Sequence, residues 1–373
     1  MTNNPMLDGN AFKLGTFSSN CSSGMSVTKV PERWENSWDN NLRLAKMLDE
    51  AGIDFMLPIA RWIGYGGETD FHGGVLETMT WASALLASTQ NIAVFATIHT
   101  SANHPVVVAK QIATIDQVGK GRAGLNIVAG WNKPEYEALG LNLPDDHESR
   151  YEYAQEWFDV IRKLWSSTEY FDWNGKHFNL KHVKGDPRPL RGAVPIINAA
   201  GSPQGREFAT DNANFLFTPA IDLDRSVEEI KELKAQADAK NRKVDVLTFS
   251  HVICRPTEKE ARDYLKHTAD DNADWEAVDN LIRLQFAHAH SFPHDLMKLI
   301  RDRFAAGHGG FPLIGTPEQV AEGILSLHKA GFAGTTLSFI DYAEEFPYFR
   351  DNVLPLLEQA GIRTPRMARA AAE

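Results

Sequence analysis

Short apolar, β-branched runs alternate with amphipathic stretches along almost the whole chain, and this alternation constrains the fold more than any other feature. FKLGTFSSN (12–20), FMLPIARW (55–62), NIAVFATIHT (91–100), RAGLNIVAGW (122–131), PIINAAG (195–201), NFLFTPA (214–220), VDVLTFSHVI (244–253) and GTTLSFI (334–340) read as buried strands. Helical periodicity fills the intervals at 33–52, 75–89, 106–121, 150–167, 203–212, 226–240, 257–269 and 316–331. Gly52 sits where the first helix should stop, and Pro105 sits at the first turn of the third, where proline is tolerated. Strand–helix alternation implies parallel strands joined by right-handed crossovers. Eight such units predict an α/β fold, a closed (β/α)8 TIM barrel, with an open doubly wound sheet as the alternative.

A minimal barrel needs about 250 residues, so roughly 120 of the 373 must be insertions. One is YFDWNGKHFNL (170–180), where Asn174-Gly175 between alternating aromatic runs signals a hairpin. Another is 268–313, acidic and then rich in His and Phe, with helical periodicity in DLMKLIRDRFAAG. No repeat or linker separates domains, so one domain over 1–373 is expected, with the tail 362–373 a loose surface segment.

Composition narrows the class. A net charge of -11 argues against nucleic acid as a partner. No apolar run is long enough to span a bilayer, and the N-terminus lacks the basic and apolar regions of a signal peptide. Two distant cysteines, Cys21 and Cys254, fit a reducing compartment, so a cytoplasmic protein is expected.

In a barrel, chemistry sits at the C-terminal ends of the strands. Thr97 and His99 share parity on strand three, and Asn126 interrupts the apolar run of strand four. A buried asparagine needs partners, so Asn126 is either a satisfied core amide or, with Thr97, one flank of a ligand site. Gly130 to Tyr136, directly after strand four, brings Trp131, Lys133 and Glu135 into a loop suited to a planar aromatic ligand, or forms an ordinary amphipathic loop. Ala199 to Gly205 joins a strand to a helix whose N-terminus, with Ser202, offers donors to an anion, and Arg150 can pair with the same phosphate or be a solvated helix-start charge. His288, His290 and His294 have metal-like spacing, but no carboxylate or cysteine pattern completes a site, and no metal is expected. Gly64-Tyr65-Gly66-Gly67 lacks phosphate-loop spacing and reads as a mobile loop over the barrel mouth.

GRAGLNIVAGWNKPEYEALG (121–140), SRYEYAQEWFDVIRKLW (149–165) and INAAGSPQG (197–205), in this order of elements, resemble the bacterial-luciferase-like two-component flavin monooxygenases. Within that family the chain is most similar to the pyrimidine monooxygenases and other flavin-N5-peroxide enzymes. The resemblance runs from strand one to FRDNVLPLL (349–357). It implies FMN, supplied as FMNH2 by a separate NAD(P)H:flavin reductase, with O2 as co-substrate, and a homodimer or homotetramer packed through the apolar stripe of helices 75–89 and 106–121.

By the same resemblance, Ala60 and Arg61 border the flavin, Asn126 and Glu135 contact it, and Arg150, Tyr151 and Ser202 hold its phosphate and ribityl chain. Leu57, Thr97, Asn126 and Trp131 match a small pocket for dioxygen beside the flavin. Thr97 and Asn126 would then donate hydrogen bonds to the bound oxygen species, and Trp131 would exclude water. The implied reaction is oxygenation or cleavage of a small heterocyclic or amide-type substrate, with His99 as its hydrogen-bond or proton-transfer partner. A sulfonate- or sulfone-cleaving monooxygenase, a deazaflavin-dependent hydride-transfer enzyme and a non-catalytic flavin-binding protein are the alternatives. The loop Ser18–Met25, His99 and the 268–313 stretch depart from the pyrimidine-enzyme pattern, and these regions lie on the substrate side.

Overall fold

A computed structural model describes residues 4–286 and 294–364. Its strands are β1 (Lys13–Phe17), β2 (Phe55–Leu57), β3 (Ala93–His99), β4 (Ala123–Val128), β5 (Phe171–Asn174), β6 (Asn179–Val183), β7 (Ile196–Ala199), β8 (Phe215–Phe217), β9 (Asp245–Cys254), β10 (Phe311–Gly315) and β11 (Gly334–Ser338). Eight of them close a parallel barrel in the order β1-β2-β3-β4-β7-β8-β9-β11 and back to β1. The (β/α)8 expectation holds. Expected strand ends ran too far, because residues such as Pro58 to Trp62 leave the ladder to form the mouth of the barrel.

One strand was missing from the sequence reading. Phe311–Gly315 falls partly within the expected insertion, yet it pairs in parallel with Ser250–Cys254. The lower end of β9, Asp245–Leu247, pairs with β8, and the opposite edge pairs with β11. Thus β10 continues the β8 side of a long strand that rises above the barrel rim. The Asn174-Gly175 hairpin forms as expected, as the antiparallel pair β5–β6 with a register shift. The expected loose tail begins as an anchor: Ile362 is buried, and Arg363 pairs with buried Asp54 at 2.6 Å while donating to Phe12 O.

Alternation along the strands divides the core. Leu125 and Ile127 face the surrounding helices, whereas Phe55, Leu57, Phe95, Phe215, Phe217 and Leu247 fill the lumen floor. Glycine makes that floor possible. A Cβ on Gly124 would lie 2.3 Å from the Phe95 ring, and one on Gly15 would lie 2.6 Å from Phe55. Gly124→Ala should therefore destabilise the fold by about 1–3 kcal/mol, read from urea unfolding, because the fully buried Phe95 ring must shift to admit the methyl group.

A second, smaller core lies above the barrel. Val27, Tyr65 and Phe71 pack against Ala277, Leu281 and Phe304 from the 268–313 insertion. Asp274 accepts from Thr69 N and Thr69 Oγ1 at 2.7 and 2.8 Å, and Asn280 Nδ2 donates to Tyr65 O at 2.7 Å. The 64–67 loop, expected to be a mobile cover, is instead pinned to the insertion by buried rings and by these bonds.

Candidate active site

Above the phenylalanine floor, a cavity of about 440 Å³ opens at the C-terminal ends of the strands. Its walls come from the elements that the sequence singled out. Phe95, Thr97 and His99 share one face of β3, as do Gly124, Asn126 and Val128 on β4, and register places Thr97 directly beside Asn126. The two strand ends therefore present a hydroxyl, an imidazole and an amide to one space.

Hydrogen bonding assigns their roles. Thr97 Oγ1 donates its single proton to Pro58 O at 2.6 Å and so can only accept from Asn126 Nδ2, at 3.2 Å. This corrects one expectation: Thr97 orients the amide of Asn126 and has no proton left to give a ligand. Asn126 Oδ1 is buried without a partner. An unsatisfied acceptor on a cavity wall is a binding feature, because leaving it dry costs about 1–3 kcal/mol.

Arg61 and Glu135 form a buried pair at 3.1 Å, both nearly sealed from solvent. The second carboxylate oxygen of Glu135 accepts from Trp62 N at 2.6 Å. The Arg61 guanidinium lies 5.0 Å from the Tyr65 ring centroid and 5.2 Å from that of Trp131. Burial pushes the Glu135 carboxyl up, while Arg61 pulls it back. His99 is stacked flat on Tyr136, with ring centroids 5.7 Å apart, and its Nδ1 lies 3.7 Å from Glu135. Burial, reinforced by Arg61, lowers His99 to about 3, so its imidazole is neutral at ordinary pH.

Ser202 caps the helix Pro203–Asn212 by accepting from Gly205 N. Ala199, Gly201, Ser202 and Tyr151 also line the cavity, at the end of the strand that pairs with β4. Three expected site residues stand behind the wall. Leu57 belongs to the lumen floor, and Glu135 supports Arg61 and the Trp62 backbone. Arg150 donates to Pro144 O, Gly130 O and Asp145 O, so it braces the loops instead of presenting an open guanidinium. Ala60, Arg61, Thr97, His99, Asn126, Trp131, Tyr151 and Ser202 all reach the cavity. Phe17, Phe217 and Phe249 also line it and follow from strand parity, whereas Met25, Gln285 and His308 come from the Ser18–Met25 loop and the 268–313 stretch, expected on the substrate side as regions but not as individual residues. His288, His290 and the side chain of His294 lie outside the described residues; among the described residues no cluster suits a metal.

Four buried histidines give the fold a pH dependence. His99 and His308 are lowered to about 3 and His251 to about 4, while His72 also falls well below its ordinary 6.5, in every case chiefly through burial. Below 6.5 the unfolded chain takes up protons that the native state refuses, so stability should fall as pH drops, by about 1.4 kcal/mol per pH unit for each histidine engaged. Raised carboxyls at Asp116, Glu135 and Glu345 oppose this, because the native state takes their protons first. Urea midpoints should be clearly lower at about pH 5 than at about pH 7.5; equal midpoints would mean that the histidines are not held neutral.

The cavity suits FMN on its own chemistry. It has an apolar floor for a ring system, unpartnered buried polar atoms at Asn126 Oδ1, His99 Nδ1 and Arg61 Nε, and on its wall Ser202, the N-cap of the helix Pro203–Asn212.

Comparison with known proteins agrees. A family model described as luciferase-like monooxygenase matches residues 12–334. The FMNH(2)-dependent dimethylsulfone monooxygenase of Pseudomonas fluorescens (strain Pf0-1) is 30% identical over 97% of this chain and 99% of its own. Pyrimidine monooxygenase RutA of Acinetobacter baylyi is 29% identical over 92% of this chain and 94% of its own. Among solved structures, riboflavin lyase RcaE, described with modified FMN and riboflavin, superposes with a TM-score of 0.84 at 20% identity, covering 95% of this chain and 93% of that one.

Proposed function

The chain belongs to the luciferase-like monooxygenases, and from that membership we propose that the cavity at the barrel mouth binds FMNH2 and oxygenates a small, uncharged substrate with O2. Reduced FMN supplies the electrons that divide O2, one atom going to substrate and the other to water. Everything else falls to the protein. Asn126, held by Thr97, offers oriented polar atoms at the strand ends. Trp131 and the Arg61–Glu135 pair wall the site and keep water from it. Tyr151, Ser202 and the helix Pro203–Asn212 would receive the ribityl and phosphate end, with Arg150 bracing the loop beneath rather than touching it.

The observation that carries this reading is the Thr97–Asn126 pair, with its unsatisfied amide oxygen, set in the wall of a flavin-sized cavity. Charge limits the substrate. Apart from histidines, Arg61 is the one ionisable group among the described lining residues able to carry charge at neutral pH, and Glu135 balances it. A heterocyclic amide or a neutral sulfone fits such a wall; a sulfonate would bring a charge that nothing there answers. The similarity to a dimethylsulfone monooxygenase favours the sulfone as the second reading. Hydride transfer from a deazaflavin gives Asn126 and Trp131 no task.

A separate NAD(P)H:flavin reductase would deliver FMNH2. A reducing, cytoplasmic setting fits Cys21 and Cys254, both buried and unpaired. A homodimer or homotetramer through the helices Thr78–Ser88 and Pro105–Val118 is supported by exposed Val107 and Val118 on the second. Anaerobic calorimetry tests the cofactor: FMNH2 should bind at one site per chain, and absence of binding heat across conditions would remove the flavin reading.

A further inference from the structure

Beside the mouth, the 268–313 insertion delivers one ring into the cavity in an unusual way. The helix His294–Gly307 ends with His308 N donating to Phe304 O at 3.0 Å, and His308 then takes φ 55°. This is the left-handed position after a helix where glycine is the ordinary occupant. Glycines stand on either side, at 307, 309 and 310, yet the strained position holds a histidine. Such strain costs on the order of 1–2 kcal/mol and persists where the surroundings enforce it.

The ring is buried among Tyr65, Phe71, His72 and Phe304. Of this cluster, only His308 lines the cavity. Its Nε2 meets the amide nitrogen of Gln285 at 2.6 Å, and its Nδ1 is buried without a partner. In this orientation of the Gln285 amide its N–H donates, so Nε2 accepts and the ring's one proton is assigned to Nδ1. Burial and Arg61 lower His308 to about 3, which keeps the ring neutral.

We propose that His308 is a substrate-binding hydrogen-bond donor, its Nδ1–H aimed at an acceptor oxygen of an uncharged substrate, and that Gln285 is the positioning residue that fixes this tautomer. The proposal rests on the reading of the cavity as the oxygenation site. It assigns the insertion a chemical task in addition to packing: selecting substrates that carry a carbonyl or sulfonyl oxygen.

The test uses full-length protein carrying 15N-labelled histidine and loaded with FMN, with uracil and dimethyl sulfone as probes. In the wild type, the His308 signals should show a protonated Nδ1, and at least one probe should shift them. In Gln285→Glu the carboxylate accepts from Nε2–H instead, so the proton should move to Nε2 and the better probe should bind about tenfold more weakly. A merely structural Gln285 would leave both readouts unmoved. His308→Gly relieves the backbone strain, so a folded variant is expected; its loss of probe binding would support the assignment, and unchanged binding would overturn it. A wild-type proton on Nε2, or probes that leave the His308 signals unshifted, would also overturn it. FMN titrated into the same sample separates the cases: bound FMN with an unresponsive His308 defeats only this inference, while absent FMN binding defeats the proposed function itself.

Discussion

Asn126→Ala should lower kcat/KM for oxygenation by roughly a hundredfold or more, with the consumed O2 diverted to hydrogen peroxide. The side chain is buried, its oxygen is unpartnered, and its orientation is fixed by Thr97. Removing a preorganised polar group from a water-poor site typically costs catalysis far more than stability. Thr97→Val should act through the same group. Valine keeps the shape but leaves Pro58 O without its donor and Asn126 Nδ2 without its acceptor, so the amide loses its setting. The double variant should therefore be little worse than Asn126→Ala alone, because the two residues act as a unit. Strictly additive losses would mean that Thr97 contacts the reactants independently.

The largest expected effect on stability is at Glu135. Glu135→Ala strands the Arg61 guanidinium in a sealed wall and removes the acceptor of Trp62 N. Breaking a buried pair from one side costs about 3–5 kcal/mol, well beyond the worth of a surface ion pair. Urea unfolding should show this loss directly. Glu135→Gln retains an acceptor for Trp62 N and should fall between. FMNH2 affinity should drop in both variants, since Arg61 and Trp131 share one stacked wall. A Glu135→Ala protein as stable as wild type would show that the pair contributes nothing net.

The barrel was legible because its strands are buried on both faces and its helices on one, and burial writes periodicity into sequence. Thr97 and Asn126 were legible for the converse reason: each is polar where strand burial asks for apolar, and the parallel register then sets them side by side. What stayed hidden depends on contacts between distant segments. Nothing local shows that Arg150 spends its donors on Pro144, Asp145 and Gly130, or that Arg363 reaches Asp54 across the chain. β10 was missed because FPLIG is short, carries a proline and follows a glycine run, so it reads as a loop until Ser250–Cys254 offers it an edge. His308 was hidden by the same glycine run, whose role is to end a helix rather than to bind anything.

Isotopic labelling tests the central claim most directly. The protein, a flavin reductase, NAD(P)H and FMN are supplied with 18O2 and a panel of neutral heterocyclic amides and sulfones, and products are read by mass spectrometry. One labelled oxygen atom per product molecule, lost in Asn126→Ala, is the predicted result. Product without label, or oxygen consumption recovered entirely as hydrogen peroxide with every panel member, would contradict the account.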